Sequence, residues 1–180
     1  MNGTPSSDSA QRYYGKYRGT VLVNIDPEQR GRIQVSVPDV LSFIPSSWAE
    51  PCVPLAGPTG PPMGTYFMPP IGAGVWVEFE QGDVERPIWV GCRFGSTADV
   101  PPLALAGLPV SPNIVMQTAG QNTLMISDLP GPTGGILLKS TAGASISIST
   151  TGIIIQNGQG ATITMTGPTI TLNNGALAIT

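Results

Sequence analysis

The chain has 180 residues, which is room for one ordinary domain and an extension. Only 11% of the residues are charged and the net charge is −3, which argues against a nucleic-acid surface of clustered Lys and Arg. Histidine is absent, which excludes Ser-His-Asp and Cys-His catalysis, and we expect no cofactor and no metal site.

The N-terminal residues are small and polar, and residues 1–16 are predicted to form a flexible arm. At its end, Tyr13, Tyr14, Tyr17 and Arg18 form an aromatic and cationic cluster. Two interpretations stay open. The aromatic rings pack on the domain that follows, or the cluster anchors the chain to a neighbouring protein, since Tyr and Arg are typical interface residues.

Residues 17–95 contain about five short strands separated by turns and Pro/Gly loops. The clearest strand is Gly74–Gln81, in which Val75, Val77 and Phe79 alternate with polar residues. A short meander with long loops is typical of a small closed barrel. Ile88, Val90 and Cys92 are predicted to share one face of the last strand.

The two cysteines, Cys52 and Cys92, have no metal-binding spacing and are predicted to be buried free thiols. No N-terminal segment has the pattern of a signal peptide, and no apolar run reaches the length of a membrane span. We therefore expect synthesis in the cytoplasm and assembly into a larger particle.

A Pro-rich linker is predicted over residues 96–113, followed by a β-helical segment over residues 114–180. After Lys139 there is no charged residue, and apolar residues alternate with Ser or Thr in short runs. Uncharged strands with open edges are prone to aggregation, so they need a cover. A single-chain solenoid would have about two coils, fewer than stacking needs. We favour three identical chains wound into an intertwined β-helix, or β-prism, in which each strand pairs with a neighbouring chain.

The predicted trimer core consists of the inward-facing apolar residues of these runs. They are Ile146, Ile148, Ile153, Ile155, Ile163, Met165, Ile170 and Leu172.

Three motifs in the predicted barrel carry a resemblance. Gly19-Thr20-Val21 is followed by Asp26-Pro27-Glu28-Gln29-Arg30-Gly31-Arg32-Ile33-Gln34-Val35, and later come Pro70–Phe79 and Gly82–Gly91. In this order they resemble the first hairpin, the "P-x-x-G-x-x-V-x-V-x-F" strand and the "G-D-x-x-R-P-x-x-x-G" turn of the OB-fold domain of contractile-tail spikes. That family includes the baseplate assembly protein V type and the C-terminal part of VgrG proteins.

The resemblance implies an all-β chain with an N-terminal OB-fold barrel and a trimeric β-helix. The implied role is a homotrimeric central spike that punctures the target cell envelope, contacts the target membrane transiently and belongs to a phage or secretion particle. Since only about 16 residues precede the barrel, the resemblance implies a separate hub protein, for which Tyr13, Tyr14, Tyr17 and Arg18 are the candidate contacts. It also implies a PAAR-type tip protein, with candidate contacts at Leu177, Ile179 and Thr180.

An enzyme is not expected, although Glu78 and Glu80 share one strand face as paired carboxylates of a glycosidase would. OB folds also bind oligosaccharides, and Trp48, Trp76 and Trp89 offer stacking surfaces. A carbohydrate-binding tail fibre or adhesin with a β-helical stalk is therefore the alternative function.

Overall fold

The computed structural model describes residues 11–57 and 60–179. The chain divides into two compact units, with the boundary between Gly95 and Ser96. Regular structure is almost entirely β, which confirms the predicted all-β class. Most of the predicted N-terminal arm, residues 1–10, lies outside the described residues.

The first unit contains a curled five-stranded sheet with the strand order β2-β1-β4-β5-β3. All its neighbouring strands are antiparallel except β3 and β5. A single helical turn, α1 (Pro38–Leu41), follows β2. The strands are β1 (Tyr17–Val23), β2 (Gln34–Ser36), β3 (Glu50–Pro51), β4 (Gly74–Phe79) and β5 (Pro87–Arg93).

The core of this unit forms because alternating apolar residues of the strands point to its inside. The alternation predicted for β4 is confirmed, since Val75, Val77 and Phe79 are all buried. The core consists of Val21, Ile33, Val35, Val37, Ala49, Val75, Val77, Phe79 and Trp89.

Two predictions for this unit are wrong. On β5 Ile88 and Val90 do share a half-buried face, opposite the buried Pro87 and Trp89, but a register shift along β5 places Cys92 beside the buried Val75, on the other face. The indole N–H of Trp89 donates to the carbonyl oxygen of Gly31 at 3.0 Å, so the largest side chain of the strand takes the inner face with its polar atom satisfied. Cys52 and Cys92 are free but exposed, since β3 ends before Cys52 and Cys92 lies near the end of β5, beyond its register shift.

The second unit contains one eight-stranded antiparallel sheet in which each strand pairs with the next along the chain. A short helix, α2 (Pro102–Leu105), precedes it. The strands are β6 (Ile114–Gln117), β7 (Thr123–Ser127), β8 (Gly135–Lys139), β9 (Ser145–Ser149), β10 (Gly152–Gln156), β11 (Thr162–Thr166), β12 (Thr169–Leu172) and β13 (Leu177–Ile179).

This pairing differs from the expected winding, in which each strand bonds to a neighbouring chain. The connections β9–β10 and β11–β12 are two-residue turns at Thr150-Thr151 and Gly167-Pro168, and such short links favour antiparallel hairpins within one chain. The hydrogen-bonded ladder of β6–β13 is therefore made by a single chain.

Candidate functional site

One face of the second unit's sheet carries two rows of apolar side chains, which continue from strand to strand across the sheet. The registers of all seven strand pairs place these residues directly opposite one another. Row 1 consists of Ile114, Ile126, Ile136, Ile148, Ile153, Met165 and Ile170. Row 2 consists of Met116, Leu124, Leu138, Ile146, Ile155, Ile163, Leu172 and Leu177.

These rows are open to solvent in the single chain. Ile114 is 65% exposed and even Ile146, in the middle of the sheet, is 38% exposed. Monomeric soluble proteins seldom expose contiguous apolar patches of this size, which instead mark interaction surfaces. We call this surface the apolar face.

All eight predicted trimer-core residues lie on the apolar face, four in each row. The predicted core did not include the residues that β6, β7 and β8 contribute, which are Ile114, Met116, Leu124, Ile126, Ile136 and Leu138. The alternation in Ile114-Val115-Met116 and in Leu124-Met125-Ile126 was readable, but the apolar residues between them blurred the period.

The opposite face is rich in hydroxyl groups on three of the later strands. On β9, β11 and β12 every residue of this face is Ser or Thr, as in Ser147, Thr164 and Thr171, whereas β10 contributes Ile154 to the same register line. We call this the hydroxyl face. The sheet is therefore amphipathic across its thickness, with no charged side chain on either face after Lys139.

The connections between strands differ on the two sides of the sheet at which the strands end. We call these two sides its edges. One edge carries the two-residue turns and the 128–134 loop. The other carries four longer connections, residues 118–122, 140–144, 157–161 and 173–176, which we call the corner column.

The corners of this column contact one another. The Thr141 backbone N–H donates to Asn122 Oδ1 at 3.2 Å, and the Thr162 N–H donates to Asn173 Oδ1 at 3.1 Å. A Cβ on Gly158 would lie 2.6 Å from the Ala142 carbonyl oxygen, so the corners approach too closely there for any other residue.

In the first unit, the predicted aromatic cluster is split. Tyr13 and Tyr17 pack on Phe79 with ring centroids 6.2 and 5.7 Å from it, as part of the unit's own packing. Tyr14 is 72% exposed, and Arg18 is exposed with its guanidinium 6.0 Å from the Trp76 ring centroid. The packing interpretation therefore holds for two of the four residues.

The three tryptophans are all engaged within the unit. Trp89 is buried, and the guanidinium of Arg32 lies 5.6 Å from the ring centroid of Trp48. Trp76 has Arg18 over it. Two of the rings therefore have a guanidinium near one face, and the third is part of the core.

The paired carboxylates are also engaged. Lys16 forms an ion pair with Glu78, and Arg86 forms one with Glu80 at 2.6 Å. In the described part of the chain, no cluster of three His, Cys, Asp or Glu residues has a geometry that would hold a metal ion. No helix among residues 11–57 and 60–179 is long and apolar enough to span a membrane.

The tip-contact candidates lie at the end of the sheet. Leu177 is exposed on β13, the last strand of row 2. Ile179 belongs to the same strand, and Thr180 lies outside the described residues.

Comparisons with known families match both units. A model described as a type VI secretion system/phage-baseplate injector OB domain matches residues 17–94. A model described as a phage baseplate V C-terminal trimerisation domain matches residues 113–178. Together the two matches cover about four fifths of the chain. No curated protein matches it.

Proposed function

This chain belongs to the phage baseplate V family, and from that premise we propose that its trimer is the central spike of a contractile tail, driven through the target cell envelope on contraction. The observation that carries the proposal is the apolar face. A sheet with one apolar and one hydroxyl face needs a partner surface, and a trimerisation domain supplies it from two further copies.

Three such sheets close into a prism of plausible width. A strand of five residues is about 17 Å long, and eight strands stack to about 34 Å. An equilateral triangle with 17 Å sides has its centre about 5 Å from each side, the reach of one side-chain layer when packed sheets are about 10 Å apart. In a triangle with 34 Å sides the centre would lie about 10 Å from each side, which is too far for one layer of side chains to fill. The apolar rows therefore run along the prism axis, and the strands run across it.

In this arrangement the hydroxyl face becomes the outer surface of the spike. Beyond Lys139 this surface is rich in Ser and Thr and has no charge, so it crosses a lipid layer at a smaller desolvation cost than a charged surface does. The backbone ladder of each face supports the prism against bending during the stroke.

A hub protein above and a PAAR-type tip protein below remain part of the proposal. Tyr14 and Arg18 offer exposed contacts on the first unit for the hub, whereas Tyr13 and Tyr17 already pack inside it. Leu177 offers an exposed apolar contact for the tip. We propose no catalytic role, because Glu78 and Glu80 are held in surface ion pairs.

Contractile particles that carry substituted spikes test the puncturing role. A charge on the hydroxyl face in Ser147→Lys should leave particle assembly at the wild-type level and reduce injection, because the charged surface must cross the membrane. Ser147→Asn is the matched uncharged control and should inject normally. Equal injection by both variants would contradict the role of the uncharged surface.

A further inference from the structure

The corner column borders two grooves on the apolar face. One groove of about 560 Å³ lies along the row 2 residues Met116, Leu124, Leu138 and Ile146. A second of about 530 Å³ continues it past Ile163 and Leu172, and both are lined by Ala144 and Ile155. The corners thus form one wall of a trough whose floor is row 2.

The trough is suited to a largely apolar occupant. The four connections of the corner column contain no charged residue, and Lys139 at the end of β8 is the charged residue that lines the first groove. Hydrogen bonds hold the wall in place, since Thr141 joins its corner to that of Asn122, and Asn173 joins its corner to Thr162 at the start of β11. Because row 2 forms the floor, the trough is continuous with the apolar face on which the chains associate.

The symmetry of a closed trimer then determines which part of the neighbouring chain occupies the trough. In a closed ring of three equivalent sheets every contact is heterologous, so an edge of one sheet meets the other edge of the next. The trough lies on the corner edge, and row 1 lies beside the edge of two-residue turns. We propose that the turn edge of each sheet, with its row 1 side chains, seats in the corner-edge trough of the neighbouring copy. This inference rests on the three-faced prism of the proposed function.

Cross-linking between introduced cysteines tests this seam. In a Cys52→Ser, Cys92→Ser background, Thr151→Cys on the turn edge is combined with Ala142→Cys or Gln159→Cys on the corner edge. Treatment with a short bismaleimide should join three chains covalently in at least one double variant, because each chain then carries both halves of the seam. Thr151→Cys, Ala142→Cys and Gln159→Cys alone should run as single chains on denaturing gels.

Two results would overturn the seam. A two-chain product from Thr151→Cys alone would mean that turn edge meets turn edge. Absence of cross-links in both double variants, while the undenatured protein keeps a three-chain mass, would mean that the edges meet otherwise, and would leave the trimeric spike standing. A one-chain mass of the undenatured protein would contradict the spike and the seam together.

A filling substitution gives an independent measurement. Ala144 lines both grooves and is half-buried, whereas Ala142 belongs to the same corner but is exposed and outside them. Ala144→Phe should shift the three-chain mass towards one chain, because the ring occupies the trough. Ala142→Phe should keep the three-chain mass. Retention of the trimer in both variants would contradict the proposed occupant.

Discussion

Asp26 organises the first turn of the OB unit. Its carboxylate accepts the backbone N–H groups of Glu28, Arg30 and Arg32 at 2.8–3.2 Å. It also accepts the Arg32 guanidinium at 2.7 Å, in an ion pair whose side chains are only 1% and 11% exposed. One carboxylate therefore fixes both the turn between β1 and β2 and the cation that lies over Trp48.

Asp26→Asn should lower the thermal unfolding midpoint of the full chain, measured by circular dichroism. The neutral amide leaves Arg32 without its buried counter-charge. Only the amide oxygen can accept hydrogen bonds, whereas both oxygens of the carboxylate accept from the turn N–H groups. Asp39→Asn removes an equal charge from an exposed position and is the control. Equal midpoints for the two variants would contradict the role given to Asp26.

The same contact predicts an acid dependence. The Arg32 guanidinium, aided by the turn N–H groups, holds the pKa of Asp26 well below its usual value of about 4. The stability that this contact gives is complete above about pH 5 and declines as the pH falls below about 4, because the unfolded chain takes up the proton first.

Unfolding by denaturant between about pH 5 and about pH 2 checks the sign. The difference in unfolding free energy between the wild type and Asp26→Asn should shrink as the pH falls. A difference that stays constant over this range would show that the ionised carboxylate is not what stabilises the turn.

At the scale of the strands, the sequence predicted which face of the sheet each side chain occupies better than it predicted which strands pair with each other. Alternation identified the inner residues of β4 and every apolar run from β8 to β13, because side-chain direction follows directly from a period of two. It did not identify which strand bonds to which, since the same alternation suits an intertwined or a single-chain ladder. On β5, where apolar residues occupy both faces, the choice of the inner face depended on the size and hydrogen bond of Trp89.

The close approach of glycine residues to backbone carbonyl groups could likewise not be predicted from the sequence. Gly152 opens β10 with a φ of 142°, and a Cβ there would lie 2.1 Å from the Met165 carbonyl oxygen. The many glycines in the sequence predicted turns. Only the pairing of the strands shows at which glycine a side chain would collide with the neighbouring strand.

Gly152→Ala should therefore lower the unfolding midpoint of the second unit and the yield of assembled protein, because β10 and β11 must move apart. Gly160→Ala is the matched control, since Gly160 also has a positive φ but a Cβ there meets no atom within 4 Å. Calorimetry of both variants compares them directly. A larger loss in Gly160→Ala than in Gly152→Ala would contradict the account of the ladder.

For the whole molecule, the match to a trimerisation domain and the exposed apolar face agree on a trimeric assembly. Complete burial of an exposed apolar side chain contributes about 1.5–3 kcal/mol, and each row 1 or row 2 side chain gains the part of this that corresponds to its remaining exposure, such as 38% for Ile146. Repeated along two rows and three chains, this burial offsets the cost of bringing the chains together. The apolar face is therefore the part of the chain on which the assembly depends.

The central claim is tested most directly by the solution mass, measured by light scattering, of the full chain and of two neighbouring substitutions on β9. Ile148→Asp places a charge on the apolar face, and Ser147→Asp places the same charge on the hydroxyl face. We predict a mass of three chains for the unsubstituted protein and for Ser147→Asp, and a mass of one chain for Ile148→Asp. A three-chain mass for Ile148→Asp, or a single-chain mass for the unsubstituted protein, would contradict assembly through the apolar face.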